Sequence, residues 1–236
     1  MNRNRLRRLM VGVLSGGGGA AVPWYLAAGI TPIGAWEGML KASQALSYVN
    51  QANPGTYDLT TSAAPTWATE SGWTFGSSKF LDTGLVPADN QGWTFVIQFQ
   101  GCSSLGNNYI FGSYTVGGAS VVGIQPNRTG GVLTQNGNAN NYVINSPVLV
   151  SGNYIISGRN LYRDGVIEAT GLDAVALGGT FATLYLGGAH LTTGALQSPI
   201  AAGKVQAFAA YNVLLSGAQA LATYNAIQSQ GFFLAP

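Results

Sequence analysis

Paired carboxylates are the side chains of this sequence with the clearest route to catalysis, because glycoside hydrolysis uses two of them on either side of a cleft. The chain contains eight acidic residues: Glu37, Asp58, Glu70, Asp82, Asp89, Asp164, Glu168 and Asp173. No two of them alternate along one predicted strand. Asp164 and Glu168 flank a predicted hairpin turn, which accounts for them without catalysis. Two distant carboxylates could still meet in space, but the pattern disfavours a glycosidase, and we expect no enzyme.

The single histidine and the single cysteine offer little further chemistry. His190 follows Gly187 and Gly188 in a predicted loop, and no Gly-x-Ser-x-Gly motif supplies the activated serine of a hydrolase. We therefore expect His190 to have no chemical role. Cys102 has no second cysteine with which to form a disulfide or a metal site, so we expect a small buried apolar residue.

Calcium is the one cofactor that the loops leave open. Asp82, Asp89, Asn90 and Asp173 carry the oxygen ligands that calcium prefers, but their spacing matches no calcium-binding motif. We expect no cofactor, and calcium remains the alternative.

Two predicted loops have the composition of a glycan-binding surface, in which an exposed aromatic ring stacks on a sugar and amide groups bond its hydroxyls. They are residues 106–109 and 136–142. The candidate glycan contacts are Asn107, Asn108, Tyr109, Asn140 and Tyr142. Any polar loop at the edge of a sheet has similar content, so an ordinary surface loop stays the alternative.

The composition indicates an unusually neutral surface. Charged residues make up 8% of the 236 residues, against about 25% in typical domains. Such a surface has little charge repulsion to keep copies apart, which suits a protein inside an ordered assembly. A soluble extracellular domain with a neutral polar surface fits equally well.

The first 22 residues form a basic segment ahead of the predicted strands. Arg3, Arg5, Arg7 and Arg8 precede a short apolar run and four glycines at 16–19. One interpretation is a secretory signal, and the other is an assembly arm whose arginines contact a neighbouring subunit, with the glycines as a hinge. We expect the arm, because the apolar run is short and interrupted by Gly12. The run is also too short to span a membrane.

The basic residues do not indicate a nucleic-acid partner. Four of the ten lie in this arm, which leaves six against eight acidic residues in the remainder. That remainder is slightly acidic, so we expect no sequence-specific nucleic acid among the partners.

The elements that must carry these side chains are mostly strands. Residues 93–99 alternate, with Trp93, Phe95, Ile97 and Phe99 on one face. Shorter strands are predicted at 108–114, 120–125, 131–134, 141–145 and 151–157, and a tight turn at Asn136-Gly137.

Helices are predicted at two places. The first runs from Gly38 to Val49. The second starts at Ser216, with Gln219 completing a capping box, and stops at Gly231. Leu221, Tyr224 and Ile227 are predicted to form its apolar face.

Two motifs carry a family resemblance. The run LYRDGV at 161–166 forms a hairpin with an Asp-Gly turn, and the order of strand, glycine corner, strand and capped helix at 184–224 ends in YNVLLSGAQALATY. Both resemble laminin-G-like domains of the concanavalin A-like jelly-roll family. The run at 47–67, SYVNQANPGTYDLTTSAAPTW, is similar to a segment at the start of jelly-roll domains in structural proteins of tailed bacteriophages.

This resemblance implies an all-β fold, a two-sheet antiparallel jelly-roll sandwich with a short C-terminal helix and an N-terminal arm. The expected divisions are the arm at 1–22, an aromatic-rich lead-in at 23–66, and the laminin-G-like domain at 67–236. The implied function is a non-enzymatic virion component, in capsid decoration, tail or fibre, which contacts other virion proteins, copies of itself or a surface glycan. A secreted, extracellular lectin-like module is the alternative.

Overall fold

The computed structural model describes residues 22–87, 92–102, 106, 108–115, 120–128, 131–137, 143–145, 151–170, 172 and 181–232. The strands along these residues are β1 (Gly34–Glu37), β2 (Thr66–Ala68), β3 (Gly72–Gly76), β4 (Leu81–Asp82), β5 (Thr94–Gln100), β6 (Phe111–Tyr114), β7 (Val121–Arg128), β8 (Gly131–Gly137), β9 (Val143–Asn145), β10 (Gly152–Ser157), β11 (Asn160–Arg163), β12 (Val166–Thr170), β13 (Tyr185–Leu186), β14 (Ala189–Leu191), β15 (Leu196–Gln197) and β16 (Ala202–Tyr211). The helices are a 3₁₀ turn at Trp24–Leu26, α1 (Gln44–Tyr48) and α2 (Gly217–Ser229).

The strands form two sheets packed face to face, so the predicted all-β sandwich is confirmed. The first sheet has the order β12-β11-β10-β5-β16-β3-β2, and β1 also pairs with β16. The second has the order β15-β14-β6-β7-β8-β9, with β13 pairing with both β4 and β6. Among the strands described, every pair is antiparallel except β14 with β6. That parallel pair arises because β13 and β14 lie on the same edge of β6.

Aromatic rings fill the space between the sheets. Phe95 and Phe99 point inward from β5, as their alternation predicts, and Phe111 comes from the opposite sheet. The rings of Phe111 and Phe208 lie 5.2 Å apart between centroids. Trp36 stacks on Phe208 at 5.9 Å. Residues 23–66, expected as a lead-in, thus contribute to the sandwich itself, because β1 carries Trp36 into this core.

The C-terminal helix covers the outer face of the first sheet. Ser216 caps α2, and its reciprocal bonds with Gln219 confirm the predicted capping box. The buried residues of the helix are Ala220, Thr223 and Ile227, whereas Leu221 is 43% exposed. Ile227 of the predicted apolar face is therefore confirmed, whereas the prediction for Leu221 was wrong, because the helix packs the small Ala220 and Thr223 against the sheet.

Two local predictions are corrected by long-range pairing. The first helix spans only α1, because Gly38 and Met39 donate backbone hydrogen bonds to Gln206 of β16 instead of entering a helix. Asn136 and Gly137 lie within β8, paired with β7, and do not form a turn. The Asp-Gly hairpin between β11 and β12 is confirmed, with φ of 50° at Asp164 and 77° at Gly165. Neither helix in the described part of the chain has the length and apolarity that a membrane crossing needs.

Candidate functional site

The sequence-predicted glycan contacts do not come together in the described structure. Asn107, Asn140 and Tyr142 lie outside the described residues, and Asn108 is half-buried. Tyr109 is 4% exposed, so its expected role as an exposed stacking platform is wrong. Its ring lies over the second sheet, where Gly112 and Gly123 leave room for it.

Two other predicted sets lie mostly outside the described residues. They are the arm with Arg3, Arg5, Arg7 and Arg8, and the calcium candidates Asp89, Asn90 and Asp173. Asp82 is described, and it accepts a 2.8 Å hydrogen bond from the backbone of Gly84. Among the described side chains no group of three or more His, Cys, Asp or Glu residues is placed to hold a metal ion. Cys102 is buried as predicted, and burial raises the pKa of its thiol.

An open cleft of about 490 Å³ lies on the outside of the second sheet, within the size range of small-molecule sites. Its walls come from three stretches of chain: the residues after β4, the residues before β13, and β14 with the turn that follows. Its lining includes Val86, Phe181, Ala182, Thr183, His190 and Thr192. Apolar surface therefore alternates with two hydroxyls and one imidazole, a mixture suited to an uncharged ligand with both apolar and hydroxyl faces.

A stack of three aromatic rings lies beside this cleft. Tyr185 lies between Phe80 and His190, with ring centroids 4.4 Å and 3.8 Å away and planes tilted by 14° in each case. The glycine corner makes the stack, because Gly187 takes φ of 88° and turns the chain from β13 back to β14. A Cβ atom at Gly187 would lie 2.3 Å from the Phe75 ring, so no larger residue fits the corner.

His190 is held by Thr183. The Nδ1 atom lies 2.8 Å from the hydroxyl oxygen of Thr183 and 3.1 Å from its carbonyl oxygen. Nδ1 is engaged on Thr183, and within the described part of the chain no hydrogen bond is made by the other ring nitrogen, Nε2, which can serve a ligand as donor or acceptor according to the tautomer. His190 was predicted to lie in a loop, but it lies in β14.

The cleft favours the uncharged form of the histidine. Desolvation lowers the pKa of His190 from its ordinary value, and the charge of Asp82 and the backbone hydrogen bond to Thr183 oppose this. Desolvation and the same Asp82 charge raise the pKa of Tyr185. At neutral pH both rings are therefore neutral, and among the described residues Asp82 is the carboxylate whose charge acts on them.

Stability should fall on mild acidification because of His190. Its folded pKa lies below that of the unfolded chain, so the unfolded chain binds more protons and the free energy of unfolding falls as the pH drops through about 6.5. We expect the urea midpoint to decrease from about pH 7.5 to about pH 5, and His190→Gln to flatten that dependence. A wild-type chain with the same pH dependence as the variant would contradict this expectation.

The sequence contains a signal for this site that none of the predictions above used. In residues 183–186 the apolar Leu184 and Leu186 alternate with Thr183 and Tyr185, and the structure buries the leucines in the core. An aromatic residue and a hydroxyl on the opposite face of a strand, followed by a glycine corner and a histidine, indicate an outward-facing binding surface.

Comparisons with known proteins show the type of fold but assign the chain to no family. No protein-family model matches the chain, and no curated protein matches it. Among solved structures it is similar to a sialidase from Trypanosoma rangeli in complex with 2,3-difluorosialic acid, with a TM-score of 0.57 and 16% identity over 91% of this chain and 34% of the sialidase.

A second similar structure is the ligand-binding domain of botulinum neurotoxin serotype D in complex with N-acetylneuraminic acid. Its TM-score is 0.56, with 12% identity over 84% of this chain and 52% of the toxin chain. This chain thus spans about a third of the sialidase and half of the toxin chain. At such identities the likeness establishes a shared β fold.

Proposed function

We propose that this chain is a non-enzymatic, lectin-like module that binds a neutral glycan in the cleft beside His190. The observation that carries the proposal is the composition of that cleft: an apolar wall, the hydroxyls of Thr183 and Thr192, and an imidazole whose Nδ1 is already engaged. Sugars present the complementary pattern, an apolar C–H face and a ring of hydroxyls.

The charges near the cleft favour a neutral sugar over an acidic one. No lysine or arginine is among the described lining residues, whereas Asp82 lies close enough to act on the pKa of His190. A carboxylate on the sugar would meet this negative charge without a basic partner. The toxin domain with the same fold was solved with N-acetylneuraminic acid, which supports a saccharide as the ligand class but does not extend to the acidic group.

A binding role fits the cleft better than glycoside hydrolysis. Hydrolysis by the common route needs two carboxylates facing the scissile bond, and the described lining contains none. The acidic pair once considered, Asp164 and Glu168, lies at the opposite sheet with Arg163 between the two side chains. In a binding role, the contact between the Thr183 hydroxyl and His190 serves to orient the imidazole ring.

Binding to a glycan array tests this function. We expect the wild-type chain to bind neutral hexose or N-acetylhexosamine glycans, and Thr183→Val to weaken that binding by about ten-fold, since it removes one hydroxyl and frees the histidine ring. The matched control is Thr66→Val on β2 of the other sheet, which should bind as the wild type does. Stronger binding to sialylated glycans, or equal binding by both variants, would contradict the proposal.

The setting that we propose for this module is a virion. The resemblance at 47–67 to bacteriophage structural proteins and the low charge of the chain support that setting, with copies of itself or other virion proteins as partners. A secreted lectin is the alternative. The test compares the oligomeric state of the full chain with that of a chain lacking residues 1–22 and one with serine at Arg3, Arg5, Arg7 and Arg8. Assembly only by the unaltered chain supports the virion setting. If all three chains are monomeric, the virion setting is contradicted.

A further inference from the structure

Tyr57 has an unusual backbone conformation for an exposed aromatic residue. Its φ is 60°, in the left-handed region that favours glycine, and its side chain is 43% exposed. A bulky side chain is strained in this region, and burial does not offset the strain here. Glycine would adopt this backbone conformation with less strain. The presence of an aromatic side chain at this position therefore calls for a functional explanation.

Hydrogen bonds on both sides hold the Tyr57 backbone in place. Its carbonyl oxygen accepts a 3.1 Å bond from Nε1 of the buried Trp36. The carbonyl oxygen of Thr56 accepts a 2.8 Å bond from the Asn50 side chain, and the Asp58 carboxylate accepts from the backbone of Asn50 at 2.8 Å. The ring is therefore presented to solvent on a loop tied directly to the core.

The ring lies beside the segment that leads into the wall of the cleft. A Cβ atom on Gly84 would be 3.4 Å from Cδ1 of Tyr57, and Val86, two residues further on, is 44% exposed and lines the cleft. Two residues of chain span at most about 7 Å. Asp82 connects this segment with the ring stack, because it pairs with Tyr185 across β4 and β13, its side chain bonds Gly84, and its charge acts on Tyr185 and His190.

We propose that Tyr57 is the stacking platform of a second sugar subsite, so that the site takes a neutral oligosaccharide rather than a single sugar. This inference rests on the proposed function of the cleft. One sugar unit occupies the cleft, and the next lays its C–H face on the Tyr57 ring. Asp82 accepts a hydrogen bond from a hydroxyl of the oligosaccharide, and its negative charge disfavours a carboxylate on the sugar at this place.

The proposal predicts that affinity rises with chain length and that Tyr57 accounts for the rise. The probes are two series of neutral sugars, each from the monosaccharide to the tetrasaccharide. One is β1,4-linked N-acetylglucosamine and the other is α1,4-linked glucose. Calorimetry measures the affinity for each member. For the series that binds, we expect the wild type to bind the disaccharide about ten-fold more tightly than the monosaccharide. Tyr57→Gly should bind both equally, and Tyr57→Phe should keep the wild-type preference because it keeps the ring.

Leu40 provides a matched control for the backbone. It has φ of 66°, is 38% exposed, and lies on the first sheet beside β2, away from the cleft. Leu40→Gly relieves the same kind of strain, so its melting temperature should be unchanged or higher, as for Tyr57→Gly, while its binding stays that of the wild type. A fall in melting temperature for Tyr57→Gly alone would mean that the ring serves stability, and would overturn the platform.

The outcomes separate the platform from the cleft. A wild-type chain that binds the disaccharide no better than the monosaccharide, or a Tyr57→Gly chain that keeps the length preference, overturns the platform and leaves the cleft in place. A wild-type chain that binds no member of either series, and no neutral glycan on the array, overturns the cleft and the platform together.

Discussion

Alanine at Gly72 should destabilise the protein by about 3 kcal/mol or more. Gly72 begins β3 with φ of 80°, and a Cβ atom there would lie 2.3 Å from the backbone carbonyl oxygen of Val205 in β16. Two terms add: the left-handed conformation of an L residue, and the separation of two strands where the buried Trp73 pairs with Val205. Equilibrium unfolding in urea measures the change.

Gly55 isolates the first of these terms, the left-handed backbone conformation. It has φ of 85° and nothing within 4 Å of an added Cβ atom. Gly55→Ala should therefore cost only the conformational term, about 1–2 kcal/mol. Both alanines restrict the unfolded chain alike, so the difference between the variants reports the steric overlap. Equal losses at the two positions would mean that β3 moves away from β16 without cost, contrary to our expectation.

Alanine at Asn50 should cost about 3–4 kcal/mol. Asn50 is fully buried and its side chain makes four hydrogen bonds to backbone groups. Its oxygen accepts from Ala35 and Ala52, and its nitrogen donates to Ile33 and Thr56. Removing the amide leaves these four groups without this partner. The bond from Ala35 is buried and the other three are part-buried, so water replaces the lost bonds only incompletely.

The control for this prediction is Asn225→Ala on the exposed face of α2, which should change the free energy of unfolding by no more than about 0.5 kcal/mol. Asn50→Asp keeps the size and the two acceptor contacts but removes the donors, so it should also destabilise, and more at neutral than at acidic pH. An Asn50→Ala chain as stable as Asn225→Ala would show that water replaces the amide freely.

Asn50 also connects stability with the proposed site. The loop that it holds, 53–58, carries Tyr57, and the backbone on either side of the ring depends on Asn50 and Trp36. If Asn50→Ala folds, we expect it to weaken oligosaccharide binding without touching the ligand, because the ring loses its fixed orientation and binding must then order it. Its effect on the monosaccharide should be small.

The low charge of the chain is consistent with an uncharged ligand in the cleft. A chain with 8% charged residues has few groups to attract or repel ions, so recognition depends on ring faces, hydroxyls and amides, which ionic strength affects little. Raising the salt concentration should therefore leave the glycan affinity nearly unchanged. The same change would weaken contacts between the basic arm and an acidic neighbour.

The sequence by itself determined the features that depend on neighbouring residues. The alternation of Phe95, Ile97 and Phe99 identified the inward face of β5, because successive side chains of a strand point to opposite faces. Ser216 and Gln219 set the start of α2, and Asp164-Gly165 set a hairpin, because caps and tight turns are satisfied within a few residues. Together they determined the fold class, since alternating strands with short turns bury their apolar faces most readily as a sandwich.

Only the tertiary structure decided which surfaces meet. Periodicity shows that a side chain points to one face of its strand, but the partner across that face lies far along the chain. Tyr109 was expected in solvent, and Gly112 and Gly123 on neighbouring strands gave it a buried place. Thr183, His190 and Val86 became one cleft because β13 and β14 share an edge of β6 beside β4. The loop that carries Tyr57 is likewise fixed by two distant residues, Trp36 and Asn50. Each of these depends on packing between distant segments, which local propensity does not encode.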